Sequence, residues 1–299
     1  MTKILVIGSS TIDMVVKAEK HPLAGETVLG GNFLMNPGGK GANQAVAIAR
    51  LGGELTFVTK VGNDVFGKQI IEGFRKENIQ TDYVFVDENY PSGAALIMVN
   101  AAGENCIVVA PGSNANLWMS DMEQVQNITT AAFILMQLEI PIETISIIAK
   151  SAKMNHQKVI LNPAPAQHLS NDLLEGLYLI TPNETEAAIL TGISVTDDAS
   201  ADLAAGYLLN KGVENVIITL GKQGAYFKNK ELSFTIMAPE VHALDTTAAG
   251  DTFSGALTVA LTEGMNWEKA VRFAVEAASI SVTRMGAQVS VPFRNELSY

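Results

Sequence analysis

Short, unbroken apolar runs recur through this chain, and each stops at glycine or a polar residue. They are Ile4 to Ile7 before Gly8-Ser9-Ser10, Phe133 to Met136, Val159 to Leu161 before Asn162, Leu179 to Thr181, and Val216 to Leu220 before Gly221. A strand with apolar residues on both faces has no side to give to water, so such runs belong to a parallel sheet covered on both faces. Helical spacing fills the intervals, at Ile142 to Ala152, Glu184 to Leu190 and Ala201 to Asn210. The alternation predicts an α/β fold: a doubly wound, mainly parallel sheet with helices on both faces, its sidedness set by right-handed crossovers. Ligands of such sheets gather outside the carboxyl ends of the strands. Thr11 and Asp13, Glu139, Asn162, Asn183 with Glu186, and Gly221 all fall there. Each alone is as well explained as a cap or turn, and the shared edge is what makes them a candidate site.

Two stretches break the alternation. From Val15 to Met35 the pattern loosens into short β-like pieces around His21-Pro22, Gly25 and Gly30-Gly31, and Ala94 to Val99 with Ile107 to Val109 reads as a hairpin turning at Ala102-Gly103-Glu104. Together they predict a small β-sheet lid formed by about 12–37 and 93–111 on a single domain spanning 1–299. Cys106 lies in that hairpin beside Ile107, Val108 and Val109, which predicts a buried strand position rather than a nucleophile.

Two helices open on glycine. In Asp245-Thr-Thr-Ala-Ala-Gly-Asp251 the residues before the helix are small, while Phe253, Ala256, Leu257, Ala260 and Leu261 mark its apolar face and Gly264 its stop. Bare N–H groups at a helix start form an anion site. Asp251 there could merely complement the helix dipole, but Asp245 six residues earlier adds charge that only a cation or a proton transfer would use. The other helix follows Gly38-Gly39-Lys40-Gly41-Ala42-Asn43-Gln44. It is not a Walker P-loop, since Gly41 follows Lys40 where Ser or Thr is required. Close approach of a ligand to the backbone is the expected reason for its glycines.

Composition narrows the partners. With 20 basic and 31 acidic residues the net charge is −11, against a nucleic-acid surface or anionic membranes. A single cysteine excludes an intrachain disulfide framework and fits the cytoplasm. The start at Lys3-Ile4 is too short for a signal h-region, and no apolar run approaches the ~18 residues of a membrane helix. The sequon at Asn127-Ile-Thr then reads as a chance match. The four histidines lack metal-ligand spacing, and Gly-x-Ser-x-Gly, His-Glu-x-x-His and Gly-x-Gly-x-x-Gly do not occur.

Gly38-Gly-Lys-Gly-Ala-Asn43 together with Asp245-Thr-Thr-Ala-Ala-Gly-Asp251 resembles the paired signatures of the phosphofructokinase B family of carbohydrate kinases, and within it the ribose-phosphorylating members. The likeness runs from the first strand almost to the C-terminus. It implies transfer of the ATP γ-phosphoryl group to a primary hydroxyl of a pentose, D-ribose first. By the same resemblance Asp251 is the general base, and the N–H groups of Ala249, Gly250 and Asp251 hold the transferring charge. Thr11, Asp13, Gly39, Lys40, Asn43 and Glu139 would surround the sugar, while Thr219, Gly221, Gly224 and Gly250 would meet the nucleotide. Asn183 and Glu186 would lie near Mg²⁺ and the phosphates. Asp245 and Thr247 with Ser281, Arg284, Gly286 and Ser290 match the loop pair around a monovalent cation, usually K⁺. The lid sheets, with exposed edges and apolar surface, point to a homodimer.

Two positions depart from the pattern. Thr11 stands where ribose-phosphorylating members commonly carry Asn, and Val275 where the family usually has a polar residue near the nucleotide base. A kinase of 2-deoxyribose, a fructose-type acceptor or a nucleoside therefore stays open, as does a noncatalytic sugar or nucleotide sensor.

Overall fold

The computed structural model describes residues 4–126 and 128–298, so Lys3 and the sequon position Asn127 lie outside it. In chain order the first elements are β1 Ile4–Ile7, β2 Thr11–Lys17, β3 Phe33–Gly38, α1 Lys40–Arg50, β4 Leu55–Gly62, α2 Val65–Lys76, β5 Val84–Asp87, β6 Gly93–Val99 and β7 Asn105–Ala110. There follow α3 Met119–Met122, β8 Phe133–Met136, α4 Ile142–Met154, β9 Lys158–Leu161, α5 Asn171–Leu174, β10 Leu179–Ile180, α6 Glu184–Thr191 and α7 Asp198–Asn210. The chain closes with β11 Asn215–Thr219, β12 Ala225–Lys228, β13 Ser233–Ile236, α8 Ala249–Thr262 and α9 Trp267–Ser281.

Nine strands form the main sheet in the order β13-β12-β11-β10-β9-β8-β1-β4-β5. It is parallel from β11 to β5, and β12 and β13 close the far edge as antiparallel hairpin strands. Successive side chains of a strand point to opposite faces, and β1 shows the result. Ile4 and Val6 pack with Val46 of α1, Leu257 of α8 and Val271 of α9, whereas Leu5 and Ile7 pack with Ile148 of α4 and Leu208 of α7. The expected doubly wound architecture is thus the one found. None of the helices described is long and apolar enough to cross a membrane.

Several elements carried no clear sequence signal, and β4 shows why. Its apolar run is interrupted by Lys60, whose ammonium is nonetheless drawn inward to Asp121 at 3.0 Å and to the Asn116 carbonyl at 2.9 Å.

A separate sheet orders as β3-β2-β6-β7. Its register puts Phe33, Met35, Met14, Val16, Leu96, Met98, Cys106 and Val108 on one face and Asp13, Asn36, Ala95 and Val109 on the other. Cys106 is exposed, which corrects the expectation of burial. The reason is topological: β7 is an edge strand of the small sheet, and its residues are exposed throughout. The thiol lies 3.5 Å from Nδ1 of His21.

Candidate active site

The start of α8 is built to stay open. Its N-cap is Ala248, held at φ 60 in the left-handed region, and no side chain caps the helix. A non-glycine residue there is strained and is kept only where the surroundings demand it. The Ala249 N–H turns back to the Thr246 carbonyl at 3.2 Å, so Gly250 and Asp251 offer the N–H groups left for an anion. A Cβ at Gly250 would meet nothing within 4 Å, so the space above that turn is free.

The start of α1 lies against it for a different reason. A Cβ on Gly41 would come within 2.5 Å of the Gly8 carbonyl carbon, and one on Gly39, at φ 89, within 2.8 Å of the Ser10 Cα. These glycines serve the close approach of the protein's own backbone, the turn between β1 and β2, and this corrects the expectation that a ligand requires them. The nesting carries Lys40, Asn43 and Gln44 to α8. Asn43 Nδ2 donates to Asp251 Oδ2 and Gln44 Nε2 to Asp251 Oδ1, each at 2.9 Å. From the end of β8, Glu139 accepts from the Ser9 hydroxyl at 2.5 Å and from the Lys40 N–H at 3.0 Å. On β2 the buried Thr11 hydroxyl donates to Asp13 at 2.9 Å.

Between these elements lies a cavity of ≈ 200 Å³ lined by Lys40, Asn162, Ala164, Thr181, Asn183, Glu186, Thr219, Thr246, Ala248, Ala249, Gly250 and Asp251. Asn183 and Glu186 cap α6 reciprocally, the Asn183 side-chain oxygen Oδ1 accepting from the Glu186 N–H at 2.8 Å and the Glu186 carboxylate from the Asn183 N–H at 2.9 Å. Gly221 and Gly224 are not among the lining residues. Gly224 is needed for packing, since a Cβ there would lie 2.0 Å from the Ile236 carbonyl oxygen. Val275 is buried in the main core.

The charges are crowded. Burial pushes the Asp251 carboxyl up, against the pull of Lys40 and the two amides. Burial likewise raises Glu186 and lifts Asp13 to about 6, helped by Glu139 and Asp251. Burial alone would lower Lys40, but Asp251, Glu139, Glu186 and Asp13 together hold its pKa above the ordinary value, so it stays charged. Such an arrangement suits a ligand bringing hydroxyl groups and a negatively charged group in flight. Two buried acceptors near it have no hydrogen-bond partner among the described residues, the side-chain oxygens of Asn43 and of Asn162, the latter in the cavity wall. Asn162 and Thr181 were visible in the sequence only as strand-end residues, and Gln44 only as the residue after Asn43.

The loop pair after β13 and after α9 meets through Asp245. Its carboxylate accepts from the N–H of Thr247 and of Gly286, both at 2.9 Å, and from the Thr247 hydroxyl at 2.6 Å. Burial opposes these bonds, yet they hold Asp245 below the usual carboxylate range. Ser281 and Ser290 are buried, but their hydroxyls donate to Ala278 and Ala287 carbonyls at 2.8 and 2.7 Å. Arg284 turns outward to pair with Glu296. Any cation held there would rely on backbone oxygens beside one ionised carboxylate.

Among known proteins, the chain matches the family model described as pfkB family carbohydrate kinase over residues 1–294. It is 45% identical over 292 residues to a ribokinase of Haemophilus influenzae, with 97% of this chain and 95% of that protein covered. It is 36% identical over 291 residues to a deoxyribokinase of Salmonella typhi, again with 97% and 95% covered. Its fold matches the structure of Arabidopsis thaliana ribokinase complexed with ribose and ATP at TM-score 0.92 and 34% identity, covering 99% of this chain and 97% of that one. Matched by one family model along nearly all its length, with a site assembled from the two helices on which the resemblance rests, the chain belongs to the pfkB family of carbohydrate kinases.

Proposed function

We propose that this enzyme transfers the γ-phosphoryl group of ATP to the 5-hydroxyl of D-ribose, giving ribose 5-phosphate, in the cytoplasm. The observation that carries it is the buried Asp251 carboxylate in the first turn of the uncapped α8, held by an Asn43 whose own buried side-chain oxygen has no hydrogen-bond partner among the described residues. A carboxylate whose pKa is pushed upward is a better proton acceptor for an alcohol, and the N–H groups of Gly250 and Asp251 meet the charge that develops on the phosphoryl oxygens. Phosphoryl transfer asks for positioning and electrostatics more than covalent help, which is what this set supplies. Asp13, Asn43, Glu139 and Lys40 hold the sugar hydroxyls, with Gly39 fixing the turn that presents them. Thr219 and the cavity wall from Asn162 to Glu186 take the nucleotide, and Gly221 and Gly224 shape that wall from behind.

No three His, Cys, Asp or Glu side chains among the described residues are grouped closely enough to hold a metal ion by themselves. The donor set fits a divalent ion that arrives with the nucleotide phosphates, Mg²⁺, which keeps its waters and takes one or two carboxylates. Glu186 and Asn183 would stand beside it. When bound, the ion neutralises phosphate charge.

A specific feature keeps 2-deoxyribose in view. The Thr11 hydroxyl is already committed to Asp13, and a site discriminates strongly only through groups that reach the substrate hydroxyl. In a panel of acceptors with ATP, ribose should lead and 2-deoxyribose should follow by far less than the ~10⁴ of a full polar readout. Consumption of ATP that does not depend on added pentose would overturn the kinase reading.

Asp245 with backbone oxygens among Thr247, Ser281, Arg284, Gly286 and Ser290 would suit K⁺, a weakly hydrated ion that such oxygens satisfy well. Replacing Na⁺ by K⁺ should raise both activity and Tm, and Asp245→Ala should abolish both responses. Equal activity and equal Tm in the two salts would remove the site.

The face carrying Phe33, Met35, Leu96, Met98 and Val108 is apolar and exposed, and a second copy of this chain would cover it through the lid sheets. Sedimentation at micromolar concentration should give a dimer, and Leu96→Glu with Val108→Glu should give a monomer. A monomeric wild type rules it out.

A further inference from the structure

We propose that Gln44 and Gln137 form a buried amide relay that fixes the carboxylate of Asp251 in its working orientation. They are positioning residues, and neither lines the cavity. The proposal rests on the reading of Asp251 as the proton acceptor. Both glutamines are fully buried. Gln137, directly after β8, donates from Nε2 to Gln44 Oε1 at 2.6 Å, and Gln44 on α1 donates from Nε2 to Asp251 Oδ1 at 2.9 Å.

The direction of donation is the point. A glutamine amide has nearly the same shape in either orientation, and only its partners distinguish the two ends. Turned over, Gln44 would set a carbonyl oxygen against the carboxylate. The Gln137 NH₂ group at Gln44 Oε1 disfavours that state, because it would then face a second donor. Gln137 is held in turn by the end of β1: a Cβ on Gly8 would lie 2.0 Å from Gln137 Oε1, so glycine leaves the room that the amide fills. Gln137 Oε1 itself has no hydrogen-bond partner among the described residues. A buried acceptor left unmet is costly, and a pair of apolar side chains would fill this space without that cost. Retaining two amides here is what a site needing a directed donor would do.

With Gln44 on Oδ1 and Asn43 on Oδ2, the carboxylate plane is locked between α1 and α8. The charged groups facing Asp251 are Lys40 on α1, Glu139 after β8, Asp13 on β2 and Glu186 on α6. The Gln44 donor works with Lys40 and Asn43 against burial, keeping the base ionised over a wider pH range.

The test is kcat/KM for the sugar at saturating ATP, followed from about pH 5 to about pH 9. Gln137→Met should move the acidic limb up by about one pH unit. Gln137→Glu should keep the wild-type limb, because its buried carboxyl stays protonated and donates its O–H to Gln44 Oε1. Gln44→Met should shift the limb at least as far, and adding Gln137→Met to it should shift it no further. An unmoved limb in Gln137→Met with only a lowered Tm, or additive shifts in the double variant, overturns the relay. Should Gln137→Met fail to fold, an unmoved limb in Gln44→Met overturns it equally. Asp251→Asn separates the two levels: full turnover there defeats the base reading, whereas lost turnover with unmoved limbs in the glutamine variants defeats the relay alone.

Discussion

Asp251→Asn should leave the fold and sugar binding in place while lowering kcat toward the upper part of the ~10² to 10⁴ range that loss of a general base costs. The carboxamide matches the carboxylate in shape and still accepts from one of the two amides that hold it, but it cannot take the hydroxyl proton. Stability should hold or rise. Burial raises the Asp251 pKa in the folded protein, so the folded state keeps its proton to higher pH than the unfolded chain does. Stability is therefore lost as pH climbs through that window, and a side chain that does not ionise escapes the loss. An aspartate serving only as a helix cap would behave in the opposite way, losing on the order of 1 kcal/mol with near-normal kcat. The structure favours the first pattern, since the N-cap position belongs to Ala248 and no side chain caps α8. Tm, sugar affinity and kcat measured on this one variant decide the matter, and wild-type kcat would sink the mechanism.

Lys40→Met should lower kcat/KM by about 10² to 10³ through lost electrostatic stabilisation and move the acidic limb of the rate profile upward. Lys40 is the cation that Asp251, Glu139, Glu186 and Asp13 share. Its charge lowers the pKa of Asp251, Glu186 and Asp13, each of which burial pushes the other way. Removing it lets burial act unopposed, and Asp13, already near 6, should rise further. Lys40 is held above its ordinary 10.5, so its own contribution to stability is present throughout the working range and fades only in strong alkali. The methionine variant should accordingly lose Tm at neutral pH and regain part of it on acidification, as the carboxylates take up protons. A rise in sugar KM with an unmoved limb would reduce Lys40 to a simple contact.

The sequence carried the architecture because strands buried on both faces have few other uses, and β1, β8, β9 and β11 could be read almost to the residue. The two glycine-opened helices were legible for the same reason: small residues in a row mark a backbone that must approach something. What they approach was not legible. The partner of Gly41 is the backbone at Gly8, and nothing local to either residue states it. Gln44 looked like one more helical residue because its meaning depends on Gln137 and Asp251, far along the chain. Cys106 misled in the opposite direction. An apolar neighbourhood in sequence means burial only where a covering layer reaches the strand, and the edge strand β7 is exposed along its length.

The sheet order also bears on how the molecule comes into being. β1 is flanked by β4 and β8, and residues 43 and 44 meet residue 251 across separations of 208 and 207 positions. Pairings so remote in sequence are closed late, after most of the loop entropy has been lost. A nascent chain leaving the ribosome therefore carries α1, with Asn43 and Gln44, for most of synthesis without the helix whose Asp251 they hold. Until α8 arrives, β1 waits with α1 unsupported on one side, and the apolar strands of the small sheet stay open to strangers. For this protein the vulnerable interval is translation itself, and catalytic competence is among the last things the polypeptide acquires.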